Sequence, residues 1–177
     1  MQRVMIIGSP GAGKTTLAKS MGSAIGLPVY HLDEIFWHAD GSPRPVAQVQ
    51  AEIQQVLAED AYILEGSYAQ TYPARLAACD TLIWLDVDLL RRCFRVWRRM
   101  RLARAATRPG QAAVPARGRR VSRIRLWAHV LLDHDSMRND QLRQMSAVPQ
   151  GVTVLHLRLP GEVSAFRKRW APQAARV

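Results

Sequence analysis

The 177-residue sequence has only two cysteines, Cys79 and Cys93, in no C-x-x-C arrangement, so it offers neither a disulfide framework nor a thiolate metal or redox motif. A reduced, cytoplasmic compartment is the simpler expectation. Long apolar runs are missing too. The N-terminal apolar stretch enters a glycine-rich loop directly, without the charged leader, long apolar segment and cleavage site of a secreted chain. No membrane span is expected. His129 and His134 stand five apart and share no helix face, which argues against a metal pair. With no internal repeat and no low-complexity linker, residues 1–177 are expected to form a single domain. Its 48% hydrophobic content suffices for a sizeable core without metals or disulfides.

Acid is scarce in one half only. Residues 1–88 carry five basic and ten acidic side chains, net −5, whereas 89–177 carry twenty basic and four acidic, net +16. Between Arg91 and Arg125 there are thirteen arginines and no acid. Such a block implies an anionic partner. Nucleic acid, a membrane surface and the polyphosphate of a bound nucleotide all qualify, and charge alone does not choose.

The stretch that does choose is Gly8 to Thr15, GSPGAGKT, which meets the phosphate-cradling pattern G-x-x-x-x-G-K-[ST] at every fixed position. Arg3-Val4-Met5-Ile6-Ile7 before it reads as a short buried strand. After it, Leu17, Met21 and Ile25 recur at helical spacing. Gly8, Gly11 and Gly13 let the backbone turn successive N–H groups inward, toward anionic oxygens and the positive end of the helix dipole. Gly8, Pro10, Gly11, Ala12, Gly13, Lys14, Thr15 and Thr16 are therefore the candidate nucleotide-binding residues. Lys14 would reach the β- and γ-phosphates of ATP and the Thr15 hydroxyl would ligate Mg2+.

Three further strands end in acid. Val29 to Leu32 leads into Asp33 and Glu34, Ala61 to Leu64 into Glu65 and Gly66, and Thr81 to Leu85 into Asp86. In open α/β sheets ligands bind at the carboxyl edge of the strands, the edge the glycine loop occupies. Asp33 is placed to hold an acceptor hydroxyl, or is simply a solvated helix start. Glu65 is placed to orient the water of magnesium. Trp37, after Phe36, is either a pocket wall or core. Arg75 stands alone among apolar residues and can fork onto an acceptor phosphate or carboxylate. Val46, Val49, Ile53, Val56 and Leu57 mark the inner face of an amphipathic helix.

Asp88 suits an N-cap for the next helix, whose expected inner face is Leu89, Leu90, Cys93, Phe94, Val96, Trp97 and Met100. Arg91, Arg95 and Arg99 share a face and can converge on one anion. Ala105 to Gly118, with two prolines and two glycines, reads as a hinged loop, so the Arg-rich stretch at about 95–125 is a candidate lid. A helix over Val121 to Leu132, another over Ser136 to Val148, a fifth strand at Val152 to Leu157 and a last helix with Val163, Phe166 and Trp170 inward complete the chain. Alternating strands and helices give a parallel sheet with helices on both faces.

The motif series GSPGAGKT, HLDEIFW, ILEGSYAQTYPARL, DTLIWLDVD followed by RVWRRMR, and VTVLHLRLP resembles the adenylate-kinase-like branch of P-loop kinases, and within it the bacterial topology modulation proteins. The resemblance spans nearly the whole chain. It implies a P-loop NTPase fold, an α/β three-layer architecture with a five-stranded parallel sheet in the order 2-3-1-4-5 and a helical lid between strands 4 and 5. It also implies that Lys14 and Thr15 serve phosphate and magnesium, that Asp33, Gly66 and Arg75 lie on the acceptor side, and that Glu65 stands where related kinases have an Asp. Arg95 resembles the arginine that packs on adenine, Arg99 one that contacts the transferring phosphate, and Pro160 lies in a turn that lines the base.

The leading expectation is a kinase with Lys14, Asp33, Glu65 and Arg99 as catalytic residues, acting on a nucleotide or other small acceptor. The alternative is a nucleotide-dependent nucleic-acid-binding or DNA-topology regulatory protein that grips phosphate backbones with the arginine block. The alternative is disfavoured because aromatics are not expected to be interleaved on an exposed face. No stable protein partner is evident in the sequence.

Overall fold

The computed structural model describes residues 1–105 and 134–170. Strand β1 (Arg3–Gly8) turns Val4 and Ile6 to one side and Met5 and Ile7 to the other, and all four are buried. A strand apolar on both faces must be covered on both. Helices α1 (Lys14–Ile25) and α7 (Pro160–Arg169) cover the first side, where Leu17, Ala18 and Met21 form a cluster that Val163, Phe166 and Trp170 complete. On the second, Tyr72 and Leu76 of α4 (Tyr72–Ala78) and Met145 of α6 (His134–Ser146) pack on Leu82 and Trp84.

The sheet runs β2 (Val29–His31), β3 (Tyr62–Glu65), β1, β4 (Thr81–Leu85), β5 (Thr153–Leu157), all pairs parallel. This is the expected order 2-3-1-4-5. A third cluster lies under α2 (Leu32–Phe36) and α3 (Val46–Leu57), where Leu32, Ile35, Val49 and Ile53 meet Tyr62 and Leu64. Gly26 closes α1 in the left-handed conformation, φ 72°, as its position before Leu27-Pro28 predicts.

Several details differ from the sequence expectation. β2 stops at His31, so Asp33 and Glu34 occupy the first turn of α2, at the strand's end and in a helix start at once. Val46 is exposed, because the burial stripe of α3 is Val49, Ile53 and Val56. The larger correction concerns α5 (Leu89–Ala105). Its inner face is set by Arg92 and Val96, each 1% exposed, whereas Leu90, Phe94 and Trp97 face solvent. The helix is turned because Arg92 has carbonyls to satisfy beneath it. Asp88 caps this helix as expected, accepting a hydrogen bond from the Arg91 N–H at 3.0 Å.

The described part of the candidate lid ends with α5 at Ala105. Residues 106–125 of that lid and the helix expected over 121–132 lie outside the described residues. No helix among the described residues is long and apolar enough to cross a membrane.

Candidate active site

Between β1 and α1 the chain bends through Gly8, Gly11 and Gly13, all at positive φ. At Gly11 (φ 83°) a side chain would drive into the Arg92 carbonyl, 2.9 Å from an added Cβ. Gly13 (φ 103°) takes the N-cap position of α1 without any side-chain cap, so the first N–H groups of the helix have no local acceptor from that residue. Donors of this kind, at the positive end of a helix dipole, are what an anion needs. The loop is braced from two sides. The Ser67 hydroxyl donates to the Gly8 carbonyl at 2.7 Å and accepts from the Gly8 N–H at 3.1 Å. Arg92 donates through Nε to the Val87 carbonyl at 3.0 Å and through Nη1 to that of Pro10 at 3.5 Å. Arg95, exposed on α5, donates through Nη1 to the Ala12 carbonyl at 2.9 Å.

Lys14 folds back over the loop. Its Nζ donates to the carbonyls of Gly8 at 2.7 Å and Ser9 at 3.4 Å. Burial pushes its ammonium below the ordinary lysine value, against the opposing pull of the Glu65 and Asp33 carboxylates. Thr15, one residue on, donates its hydroxyl to Glu65 Oε1 at 2.8 Å. Thr16 is exposed in the same first turn.

Parallel pairing puts Glu65 between Ile6 of β1 and His31 of β2. The same Oε1 that takes the Thr15 hydroxyl takes His31 Nδ1–H at 2.8 Å. Burial alone would raise the Glu65 carboxyl, but the His31 bond, the Lys14 charge and the Thr15 bond together hold it below the usual carboxylate value. Glu65 is thus an ionised oxygen donor beside the loop. Among the described residues no cluster of three or more His, Cys, Asp or Glu could form a dedicated metal cage. One hydroxyl and one carboxylate beside a phosphate loop are the hard oxygen set Mg2+ uses when phosphates and waters supply the rest.

On the other side of β3, Asp33 Oδ1 accepts the Tyr68 hydroxyl at 2.7 Å, and Trp37 Nε1 donates to the Tyr68 oxygen at 2.8 Å. The Phe36 and Tyr68 rings stack 3.9 Å apart, 8° from parallel. Trp37 is therefore part of a polar chain ending on Asp33 rather than plain core. Gly66 has φ 141° and touches α2 so closely that an added Cβ would meet Leu32 Cβ at 2.7 Å. Arg75 is not brought to this space. At 1% exposure it donates to the carbonyls of Gly66 at 2.9 Å and Leu64 at 3.0 Å, and burial lowers its pKa to about 10. The reason is local: buried carbonyls at the end of β3 require donors, and Arg75 is one α4 turn away.

Arg99 lies on α5 with its side chain outside the description, and Pro160 opens α7 likewise. Asp86, at the end of β4, receives Arg138 Nε and Nη2, both at 3.2 Å, and pairs with His156 Nε2 at 3.1 Å.

No family model and no curated protein matches this sequence. Among solved structures, the chain is similar to a shikimate kinase from Acinetobacter baumannii in complex with shikimate, at 16% identity and TM-score 0.54, over 96% of this chain and 90% of that one. The chain has the P-loop NTPase fold. A sugar kinase from Janibacter sp. HTCC2649, unliganded, is also similar, at 14% identity and TM-score 0.48, over 96% of this chain and 91% of that one.

Four residues of the site escape a reading of the sequence: His31, Ser67, Tyr68 and Arg92. His31 and Ser67 gain their partners only through strand register and the β3 exit. Arg92 was one arginine in a run of many. Tyr68 sits in the motif ILEGSYAQTYPARL, three after Glu65, and an aromatic hydroxyl so near two strand-end acids is the one signal that marked it.

Proposed function

We propose that the protein is a cytoplasmic P-loop kinase, of the adenylate-kinase-like branch that includes topology modulation proteins, which transfers the γ-phosphoryl group of ATP to a small acceptor. The observation that supports this most is the convergence of Lys14, Thr15 and Glu65 on one glycine loop, with Asp33 at the neighbouring strand end. Phosphoryl transfer demands little covalent chemistry from a protein; it demands placement and charge neutralisation. The loop N–H groups and Lys14 would hold the polyphosphate, with Lys14 exchanging its two carbonyl partners for phosphate oxygens. Arg95, beside the loop, would lie along the base. Thr15 and Glu65 would hold Mg2+, which supplies neutralisation of the polyphosphate charge when bound. Asp33 would hold the hydroxyl of the acceptor.

The deciding test is Lys14→Ala with calorimetry and ADP release. Unaltered circular dichroism, Mg-ATP binding abolished and turnover lower on the order of 10³-fold is the expected result. Retained turnover in that variant would exclude the scheme.

One observation favours the second reading, nucleic-acid binding. Contrary to expectation, Phe94 and Trp97 are exposed on α5 among arginines, and Arg101 lies 4.9 Å over the Trp97 ring. If that face stacks single-stranded bases, Trp97→Ala weakens oligonucleotide binding by about 1–3 kcal/mol and log affinity falls steeply with log salt. A flat salt profile leaves the kinase reading alone.

A further inference from the structure

Lys14 rests on the glycine loop and has to leave that position to meet phosphate, so the cost of leaving bears on how tightly the loop binds. Its Nζ donates to the Gly8 carbonyl at 2.7 Å and to that of Ser9 at 3.4 Å. Gly8 and Ser9 are buried, whereas Lys14 is half-buried and carried on a flexible four-carbon stem. A buried carbonyl stripped of its donor carries a desolvation cost that nothing offsets. Gly8 has little room to turn toward a different donor. Its backbone lies against β4, where an added Cβ would meet the Leu85 carbonyl at 2.6 Å.

Both carbonyls have a further donor that stays when Lys14 goes. The Ser9 carbonyl accepts the Ala12 N–H at 3.1 Å, within the loop itself. The Gly8 carbonyl accepts the Ser67 hydroxyl at 2.7 Å, from the segment that leaves β3, and Ser67 Oγ in turn accepts the Gly8 N–H at 3.1 Å. Resting on the kinase reading, we propose that Ser67 is a positioning residue for the nucleotide: it keeps a donor on the Gly8 carbonyl while Lys14 swings to the β- and γ-phosphates, and so lowers the cost of that swing. Ser67 touches no phosphate in this scheme and acts through Gly8 and Lys14. With the hydroxyl removed, the departure of Lys14 takes away the last side-chain donor that the described residues give the carbonyl, and the ammonium is held to the loop in competition with phosphate. The Gly8 N–H loses its acceptor in free and bound protein alike, so that loss cancels from the affinity.

The test has a binding arm and a folding arm. In calorimetry, Ser67→Ala is expected to weaken Mg-ATP by about 10-fold, and Ser67→Thr, which keeps the hydroxyl, to recover most of that loss. Mg-tripolyphosphate, which has no base, should show the same pattern. Unchanged Mg-ATP affinity in Ser67→Ala overturns the proposal, as does a Thr variant no better than the Ala one. A loss seen with Mg-ATP and not with tripolyphosphate also overturns it, because the defect then lies at the base. The folding arm uses no nucleotide. Ser67 and Lys14 each cover for the other at the Gly8 carbonyl, so the double variant Ser67→Ala, Lys14→Ala is expected to lower the urea midpoint by more than the two single variants summed. Strict additivity overturns the shared carbonyl on which the proposal stands. Failure of the kinase reading looks different: the wild-type protein then gives no Mg-ATP heat, and the proposal falls with that reading even where the folding arm is non-additive.

Discussion

At the scale of single residues, charge is placed where main-chain or side-chain partners await it. Asp86 is the clearest case. Burial alone would raise its carboxyl, but the hydrogen bonds from Arg138 and His156 outweigh that and hold it below its ordinary 3.8, with Arg158 Nε at 3.8 Å adding to the cluster. A depressed carboxyl stabilises the fold fully above its unfolded value, and the contribution is lost as pH falls through the lower folded value. Asp86→Asn should therefore cost about 2 kcal/mol at pH 7 in urea denaturation, and the gap to wild type should narrow progressively as pH falls below about 4. A gap that keeps its size down to the lowest pH at which wild type is still folded would mean the carboxylate charge is not what matters. The position of Lys14 at the glycine loop was legible in the sequence because its partners, the Gly8 and Ser9 carbonyls, belong to that same loop, whereas Thr15 meets Glu65 only through the packing of α1 on β3. Arg75 was misread for the opposite reason. A lone arginine among apolar residues is equally the mark of a functional fork and of a buried donor, and only the third dimension shows the open carbonyls of Leu64 and Gly66.

At the scale of elements, periodicity gave most helices their inner faces, as with Leu17 and Met21 of α1 and Val163 and Phe166 of α7. It failed on α5, where aromatic and aliphatic residues were assigned inward and arginines outward. The structure inverts part of that pattern, since Arg92 reaches the Val87 and Pro10 carbonyls and so carries Val96 with it to the interior. The inversion has a measurable contrast. Val96→Ala should cost about 2 kcal/mol, whereas Phe94→Ala, the loss of a larger side chain that is 59% exposed, should stay within about 0.5 kcal/mol. Equal losses in chemical denaturation would restore the face read from the sequence. β2 shows a milder version of the same effect: three residues suffice for a strand at the edge of the sheet, so Leu32 turns into α2 and brings Asp33 round with it.

For the molecule as a whole, the alternation of strands and helices was enough for a parallel sheet covered on both faces, whereas the strand order came only from the resemblance of the motif series to P-loop kinases. What could not be read was register. The meeting of His31 with Glu65, and of Ser67 with Gly8, depends on which residues of parallel neighbours stand side by side. The same pairing holds the far side of the sheet. β5 follows the undescribed stretch 106–133, yet it is laced to β4 from Thr81 to Leu85, and the His156 ring lies 4.0 Å from that of Trp84, 6° from parallel. Trp84 Nε1 in turn donates to Gln141 of α6 at 2.8 Å. With so many attachments independent of the covalent path, the chain should tolerate being cut. A protease site inserted at residue 112 and cleaved should yield two peptides that still elute together in gel filtration and part only in denaturant, which makes this protein a candidate for reassembly from separately expressed halves.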